Sequence, residues 1–222
     1  MTYATPIGGL PTQEATLTGK AVFTNAYAVI PGGVMRDIVT SYLPFWEKSR
    51  AWILARPLSG FAETFSQYII EIEPSGGSSN PEPDNQVESI IFVTSGSLII
   101  NHGSGDHKML SGGYSYCPPG VSYIIKNTGT ESATIHLFRK RYVTVEGILA
   151  PKPFITNEKD IKPIIMDHSK GAWSTTRFVD PEDLRYDMHV NIVNFKPGGV
   201  IPFEETHVME HGIYILEGSA EY

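Results

Sequence analysis

The feature that most constrains this chain is a series of short apolar runs, each closed by a turn signal. Such runs lie at residues 67–72, 89–94, 98–100, 114–116, 123–125 and 133–138, and Gly, Pro, Asn or Ser residues follow them. Runs at this spacing predict the strands of a sandwich or barrel. The 21 Gly and 16 Pro residues and the 11% aromatic content favour the same all-β class.

Few segments of the chain favour other structures. A short helical piece is expected around Phe45 to Ser49 and a helical turn at Pro181 to Arg185. Residues 139–182 carry four prolines and little strand signal, so they are interpreted as a connection between two domains. Residues 1–20 are rich in Thr, Gly and Pro and are expected to form an arm or loop.

Charge and hydropathy exclude several classes of protein. The chain carries 24 acidic and 17 basic residues, a net charge of −7, which argues against nucleic-acid binding. It has no apolar run of about 18 residues, so no membrane span is expected. The first ten residues do not resemble a signal peptide, and Cys117 is the only cysteine. We therefore expect a cytoplasmic protein without an intrachain disulfide.

The second half of the chain repeats the pattern of the first. Residues 188–195 alternate and end at Pro197, Gly198 and Gly199, and an expected strand at 212–216 ends at Gly218. The earlier copy has strand-like residues 68–73, a turn expected at 74–77, a strand at 90–94 and Gly96. An internal repeat decides architecture before details do. We expect a first domain over 1–145 and, over 146–222, a linker and the start of a second domain.

The sharpest chemistry lies in Glu-Thr-His-Val-Met-Glu-His at residues 205–211. On a strand, Glu205 and His207 point to the same face because they are two residues apart. With His211 they supply two imidazoles and a carboxylate, a set that binds a divalent metal and leaves coordination positions open for catalysis. A solvated polar loop is the alternative for this stretch, and Glu210 is read as a solvated or supporting glutamate.

This motif resembles the first signature of the cupin superfamily. Gly199 opens it, Glu205, His207 and His211 take the three ligand positions, and Gly218 closes it seven residues after the last ligand. Cupins usually have His, His and Glu in that order, whereas this chain has Glu, His and His. The resemblance implies a bicupin, that is, two tandem jelly-roll-like β-barrels.

The first repeat lacks comparable ligands. Ser89, Asn85 and Pro83 stand at the positions of His211, His207 and Glu205. A stretch similar to the second cupin signature runs over 112–127, but Tyr123 stands where a metal-binding His is usual. We therefore expect a first barrel without metal. Four other histidines are interpreted as surface or hydrogen-bonding residues: His102, His107, His136 and His168.

Three strings together resemble the bacterial (S)-ureidoglycine aminohydrolase family, whose members have also been called glyoxylate-utilisation proteins. They are Gly-Tyr-Ser-Tyr-Cys-Pro-Pro-Gly at 113–120, Arg-Lys-Arg-Tyr-Val-Thr-Val-Glu-Gly at 139–147, and the string from Glu205 to Gly212. The resemblance implies hydrolytic deamination of (S)-ureidoglycine to ureidoglycolate and ammonia in allantoin breakdown.

The resemblance also implies a site. One Mn²⁺ would be held in the second cupin by Glu205, His207 and His211, and Tyr222 would line the substrate pocket. A Gln ligand and further pocket residues lie beyond Tyr222 in the family. The second barrel is therefore expected to be incomplete at its C-terminal end, and this polypeptide alone is expected to lack full activity. Barrels of this class associate through edges and arms, so a homo-oligomer is expected.

Two other classes of function, another metal enzyme and a non-catalytic binding protein, fit the same residues. Two His and one carboxylate also suit an iron dioxygenase or a sugar-phosphate isomerase. A bicupin that binds a small ligand without turnover is the non-enzymatic alternative.

Overall fold

The computed structural model of the chain describes residues 21–23, 27–32, 41–56, 64–167, 169–203 and 209–219. These described residues form fourteen strands and one short 3₁₀ turn at Glu158–Asp160. The strands are β1 (Val22–Phe23), β2 (Ala28–Val29), β3 (Trp46–Ala55), β4 (Phe65–Ser78), β5 (Val87–Ser95), β6 (Ser97–Asn101), β7 (Asp106–Leu110), β8 (Gly113–Cys117), β9 (Ile124–Lys126), β10 (Ala133–Arg141), β11 (Phe154–Asn157), β12 (Ile164–Ile165), β13 (Trp173–Arg177) and β14 (Asn191–Phe195). The predicted all-β class is confirmed.

Nine of these strands form one antiparallel, barrel-like sheet. Its order is β11-β8-β5-β10-β4-β9-β6-β7, and β3 pairs with the other edge of β4. The sheet curls until β7 contacts β8 and β11, which nearly closes a barrel and leaves few exposed edges. The inward faces form a core that includes Ile70, Ile91, Leu98, Ile125 and Ile135.

Two local expectations for this sheet are wrong. The expected helix at Phe45 to Ser49 is the start of β3, which pairs with β4 and buries Ser49 and Ala51. The expected turn at residues 74–77 is absent, because β4 continues to Ser78. In both places the pairing of β3 with β4 outweighs the local sequence signal. The strands absorb it as irregularities, because Lys48 and Ser75 adopt positive φ angles of 45° and 63° and the register shifts beside Lys48.

Gly77 shows why a glycine stands in this strand. Its φ is 143°, and a Cβ there would lie 2.1 Å from the carbonyl oxygen of Ile125. Only a residue without a side chain permits the close pairing of β4 with β9 at this point.

The second half forms a three-stranded antiparallel sheet of order β12-β13-β14. Strands β11, β12 and β13 all lie in the segment 139–182 that was expected to be a strand-poor connection, so that expectation is wrong for these residues. Strand β11 lies beyond the expected boundary at residue 145 and extends the first sheet through β8. The expected helical turn at 181–185 is a pair of turns, in which Asp180 and Asp183 carbonyls accept from Asp183 and Tyr186 amides.

An apolar cluster joins the second half to the outer face of the first sheet. Ile90, Phe92, Tyr114 and Tyr116 supply the barrel side, and Phe178 packs on them. The rings of Tyr114 and Phe178 are stacked with centroids 4.1 Å apart. Partly buried side chains of the second half surround this contact: Ile161, Tyr186, Met188, Val190 and Ile192.

Residues 212–216 were expected to form a strand and do not. A strand needs a neighbour to pair its backbone groups, and within the described part of the chain no backbone hydrogen bond links these residues to one. They lie instead near side chains of β4 and β10, as described below.

Among the described residues, no helix is both long enough and apolar enough to cross a membrane. The arm expected over residues 1–20 lies outside the described residues.

Candidate functional site

Of the four predicted site residues, the structure describes one. His211 lies in the segment 209–219 and is exposed, whereas Glu205, His207 and Tyr222 lie outside the described residues. In the described ranges no three His, Cys, Asp or Glu side chains are grouped to hold a metal. The proposed ligand set therefore rests on the sequence, and the structure shows the surroundings of His211.

The segment around His211 lies against the first barrel. The amide N–H and the hydroxyl of Thr64 donate to one oxygen of Glu210, over 3.0 and 2.6 Å. Two residues further on, a Cβ on Gly212 would lie 2.6 Å from Oε1 of Gln67. Residues on either side of His211 are thus in close contact with the start of β4.

Tyr214 makes the third contact of this segment. Its ring meets the ring of His136 edge to face, with centroids 4.4 Å apart. His136 lies on β10 and is only 3% exposed, so the expectation of a surface or hydrogen-bonding residue is wrong about its surface position. Burial lowers the pKa of His136 to about 4, and the imidazole is therefore neutral at physiological pH.

Within the first barrel, a row of polar residues crosses four neighbouring strands. Ser66 on β4 pairs with Arg139 on β10, Arg139 pairs with Ser89 on β5, and Ser89 pairs with Cys117 on β8. Cys117 belongs to the inward-facing core, and each of the other three residues lies two positions along its strand from a core residue. Residues two apart on a strand share a face, so the whole row faces inward. It includes Ser89, the residue predicted to match His211.

The first barrel offers a poor environment for a cation at this row. Burial raises the pKa of the Cys117 thiol to about 12 and the pKa of the buried Tyr123 phenol well above its ordinary value. Both groups therefore stay protonated and neutral at pH 7. The Arg139 guanidinium belongs to the same row, and the carboxylate of Glu82 balances its charge. A divalent ion would therefore meet neutral groups and an ion pair that is already complete.

Arg139 is held by a carboxylate that the sequence analysis did not single out. Its guanidinium makes a bidentate ion pair with Glu82, whose side chain is 5% exposed. The hydrogen bond from Arg139 Nη2 to Glu82 Oε1 is 2.8 Å long. The other basic residues of this string also have partners: Lys140 pairs with Asp187 and Arg141 with Asp84. Alternation along a strand could have indicated that Arg139 and Lys140 face opposite sides, but not which acids meet them.

The Lys140–Asp187 pair links the two halves beside the apolar cluster. The Asp187 carboxylate also accepts from the amide of Val143 over 2.8 Å, and the Tyr142 hydroxyl donates to the carbonyl of Arg185 over 3.0 Å. Both halves of the chain are therefore joined by polar as well as apolar contacts.

Glu88 is a buried carboxyl at the same junction. It is fully buried on β5, and the Tyr116 hydroxyl donates to its Oε2 over 2.7 Å. Burial raises the pKa of Glu88 to about 7, with a smaller lowering effect from the Tyr116 hydrogen bond. It therefore changes protonation near neutral pH.

Two further histidines have partners that fit the expectation for them. His102 Nε2 lies 2.9 Å from Ser115 Oγ, and His107 Nε2 lies 3.4 Å from Ser104 Oγ. His168 lies outside the described residues.

Comparison with known proteins identifies the family. A profile for an EutQ-like cupin domain matches residues 59–142. The (S)-ureidoglycine aminohydrolase of Escherichia coli is 31% identical over 214 residues, which are 95% of this chain and 78% of that protein. The chain belongs to the (S)-ureidoglycine aminohydrolase family. An aminohydrolase splits a carbon–nitrogen bond with water, so the predicted enzyme class is confirmed at the level of this family.

Other relatives agree with this assignment. The (S)-ureidoglycine aminohydrolase of Arabidopsis thaliana is 28% identical over 91% of this chain and 64% of its own length. A solved putative glyoxylate-induced protein from Pseudomonas aeruginosa shares 55% identity with a TM-score of 0.81, over 94% of this chain and 76% of that chain. The chain thus spans three quarters of the bacterial relatives and less than two thirds of the plant aminohydrolase. The predicted resemblance and the cupin fold are confirmed.

Proposed function

We propose that this chain takes part in the hydrolytic deamination of (S)-ureidoglycine. Water replaces the amino group on the chiral carbon, so that ureidoglycolate and ammonia are formed in allantoin breakdown. The observation that carries this proposal is the match to the E. coli (S)-ureidoglycine aminohydrolase over 95% of the chain. A cytoplasmic homo-oligomer that binds only this small substrate is part of the proposal.

We place one Mn²⁺ in the second half, with Glu205, His207 and His211 as its ligands. The donor chemistry fits, because two imidazoles and a carboxylate without a thiolate suit a hard to borderline divalent ion. His211 is exposed in the described structure and so is accessible to an ion. When bound, the ion would supply Lewis acidity and orient the substrate.

Other parts of the chain have separate proposed roles. Tyr222 is proposed to line the substrate pocket. The first barrel, over 1–145 in the proposed domain division, has a structural role, because its inward polar row presents Arg139 and protonated groups where ligands would be needed. The second half, over 146–222, carries the reacting site.

The direct test is ammonia release from freshly prepared (S)-ureidoglycine, with Mn²⁺ or with EDTA. The 222-residue chain is compared with a version extended to the full length of the bacterial relatives. Metal-dependent release by either form supports the proposal, and release by the extended form alone assigns essential groups to the added residues. If neither form releases ammonia, the proposal is wrong. Oxygen uptake with Fe²⁺ would then indicate a dioxygenase, and ligand binding without turnover a binding protein.

A further inference from the structure

We propose that Glu210 is a positioning residue through which the first barrel orients the segment that bears His211. The proposal rests on the proposed function for its consequence at the metal, and on the described contacts for the anchoring itself. It gives the first barrel a part in the reaction that its own side chains do not perform.

The first observation is the double hydrogen bond at Glu210. One carboxylate oxygen accepts from both the amide N–H and the hydroxyl of Thr64, at 3.0 and 2.6 Å. Hydrogen bonds to a charged acceptor are among the stronger ones in proteins. Two donors on one residue also fix the direction of the carboxylate, which a single contact would not.

The second observation is the spacing of the contacts. Glu210 meets Thr64, Gly212 passes Gln67, and Tyr214 meets His136, so every second residue of this segment contacts the first barrel. In an extended chain, the residues between them face the opposite side. That side carries His211.

The third observation concerns the fit at the middle contact. A Cβ on Gly212 would lie 2.6 Å from Gln67 Oε1 and 3.6 Å from the ring of Phe65. The segment thus lies against β4 without room for a side chain. Contacts on both sides of His211 limit how far its backbone can move, and residues that hold metal ligands in place usually contribute about 10- to 100-fold to metal affinity.

The test compares two substitutions of Glu210 in the same chain. Glu210→Ala removes the acceptor, whereas Glu210→Gln keeps a carbonyl oxygen that accepts from both Thr64 donors. We expect Glu210→Ala to weaken Mn²⁺ binding about tenfold and to speed amide hydrogen exchange at residues 211–216. Glu210→Gln is expected to stay within about threefold of the unaltered chain in affinity. Glu217→Ala, at an exposed glutamate of the same segment, is the matched control.

Each result decides a separate point. If Glu210→Gln fails as badly as Glu210→Ala in Mn²⁺ binding while exchange at 211–216 is unchanged, Glu210 acts on the ion itself and the positioning role is wrong. If neither affinity nor exchange changes in Glu210→Ala, the anchoring is wrong. If the unaltered chain binds no Mn²⁺, the proposed function fails at this chain, and the exchange rates alone then decide whether Glu210 anchors the segment.

The Thr64 side of the contact gives an independent check. Thr64→Val removes the hydroxyl but keeps the amide donor, and Thr64→Ser keeps both. We expect Thr64→Val to speed exchange at 211–216 and Thr64→Ser to restore the slow rate. Equal exchange rates in the two variants would contradict the assigned hydrogen bond.

Discussion

Ser89 and His211 occupy matching positions in the two predicted repeats, yet their surroundings differ in every respect that matters to a metal ion. Ser89 is 1% exposed inside a nearly closed barrel, in register with a guanidinium and a protonated thiol. His211 is exposed, in a segment anchored from outside by the first barrel. The polar row of the first repeat is buried inside a barrel, whereas the second repeat keeps an exposed imidazole.

Two repeats with the same sequence pattern can therefore serve different purposes, one as a structural barrel and the other as the proposed metal site. Where a barrel interior presents Arg139 held by Glu82, the charge is already balanced and a cation has no role. His211 is exposed, and with Glu205 and His207, the ligands predicted from the sequence, it would form a site that an ion and a substrate can reach.

The largest effect is expected from His211→Ala. In whichever form of the protein releases ammonia, we expect activity to fall at least about a thousandfold, because a direct ligand of the ion is lost. Ser89→Ala is the matched substitution in the first repeat and should leave the rate within about twofold, since Ser89 touches no reacting group. Activity is measured as the initial rate of ammonia release. If the two variants lose the same share of this rate, the two repeats do not differ in their role in the reaction.

Arg139→Met should destabilise the first barrel by about 3 kcal/mol. The substitution leaves the carboxylate of Glu82, 5% exposed, without its cation, and breaking a buried pair from one side is strongly destabilising. Urea unfolding at pH 7 measures the free energy. The control is Arg141→Met, because Arg141 is 71% exposed and surface pairs contribute about 1 kcal/mol or less. If Arg141→Met lowers the free energy of unfolding as much as Arg139→Met does, the buried pair with Glu82 has no special role in stability.

Glu88→Gln should remove a pH dependence of stability. The pKa of Glu88 is about 7 in the fold against an ordinary value of 4.5, so folding favours the protonated form. The stabilisation is complete below pH 4.5 and is lost as the pH rises through 7. We expect Glu88→Gln to match the unaltered chain at pH 4 and to exceed its free energy of unfolding by roughly 2–3 kcal/mol at pH 8. Parallel stability curves from pH 4 to pH 8 would show that Glu88 does not titrate in this range.

The smallest effect is expected at the junction of the halves. Asp187→Ala removes the partly buried partner of Lys140 and the acceptor for the exposed Val143 amide, and should lower the free energy of unfolding by about 1–2 kcal/mol. Asp187→Asn keeps an acceptor for the Val143 amide, so its free energy of unfolding should fall less. If the free energy of unfolding falls equally in Asp187→Asn and Asp187→Ala, the amide contact contributes nothing to stability.

Much of the fold could be predicted because it depends on local alternation. Apolar runs at 89–94 and 133–138 became β5 and β10, which pair in the centre of the sheet. The expectations that were wrong lie where pairing overrides a local signal, as at Phe45 to Ser49, or where β4 continues past Pro74. A turn residue shows that a strand can bend, but only its neighbours decide whether the strand ends.

The site was less predictable for a different reason. The motif at 205–211 identifies donors by type and spacing, but it contains nothing about Thr64 or His136, which lie far away in the chain. The pairing of Arg139 with Glu82, across 57 residues, is likewise a product of the fold. Spacing predicts which residues can act together on one strand, whereas tertiary contacts determine what supports or neutralises them.

The central claim is that the metal belongs to the second repeat alone. The most direct measurement is the Mn²⁺ content per chain after equilibration and gel filtration, for the unaltered protein, His211→Ala and Ser89→Ala. We predict one ion per chain in the unaltered protein and in Ser89→Ala, and none in His211→Ala. An ion that stays in His211→Ala and is lost from Ser89→Ala would place the site in the first barrel and contradict the account.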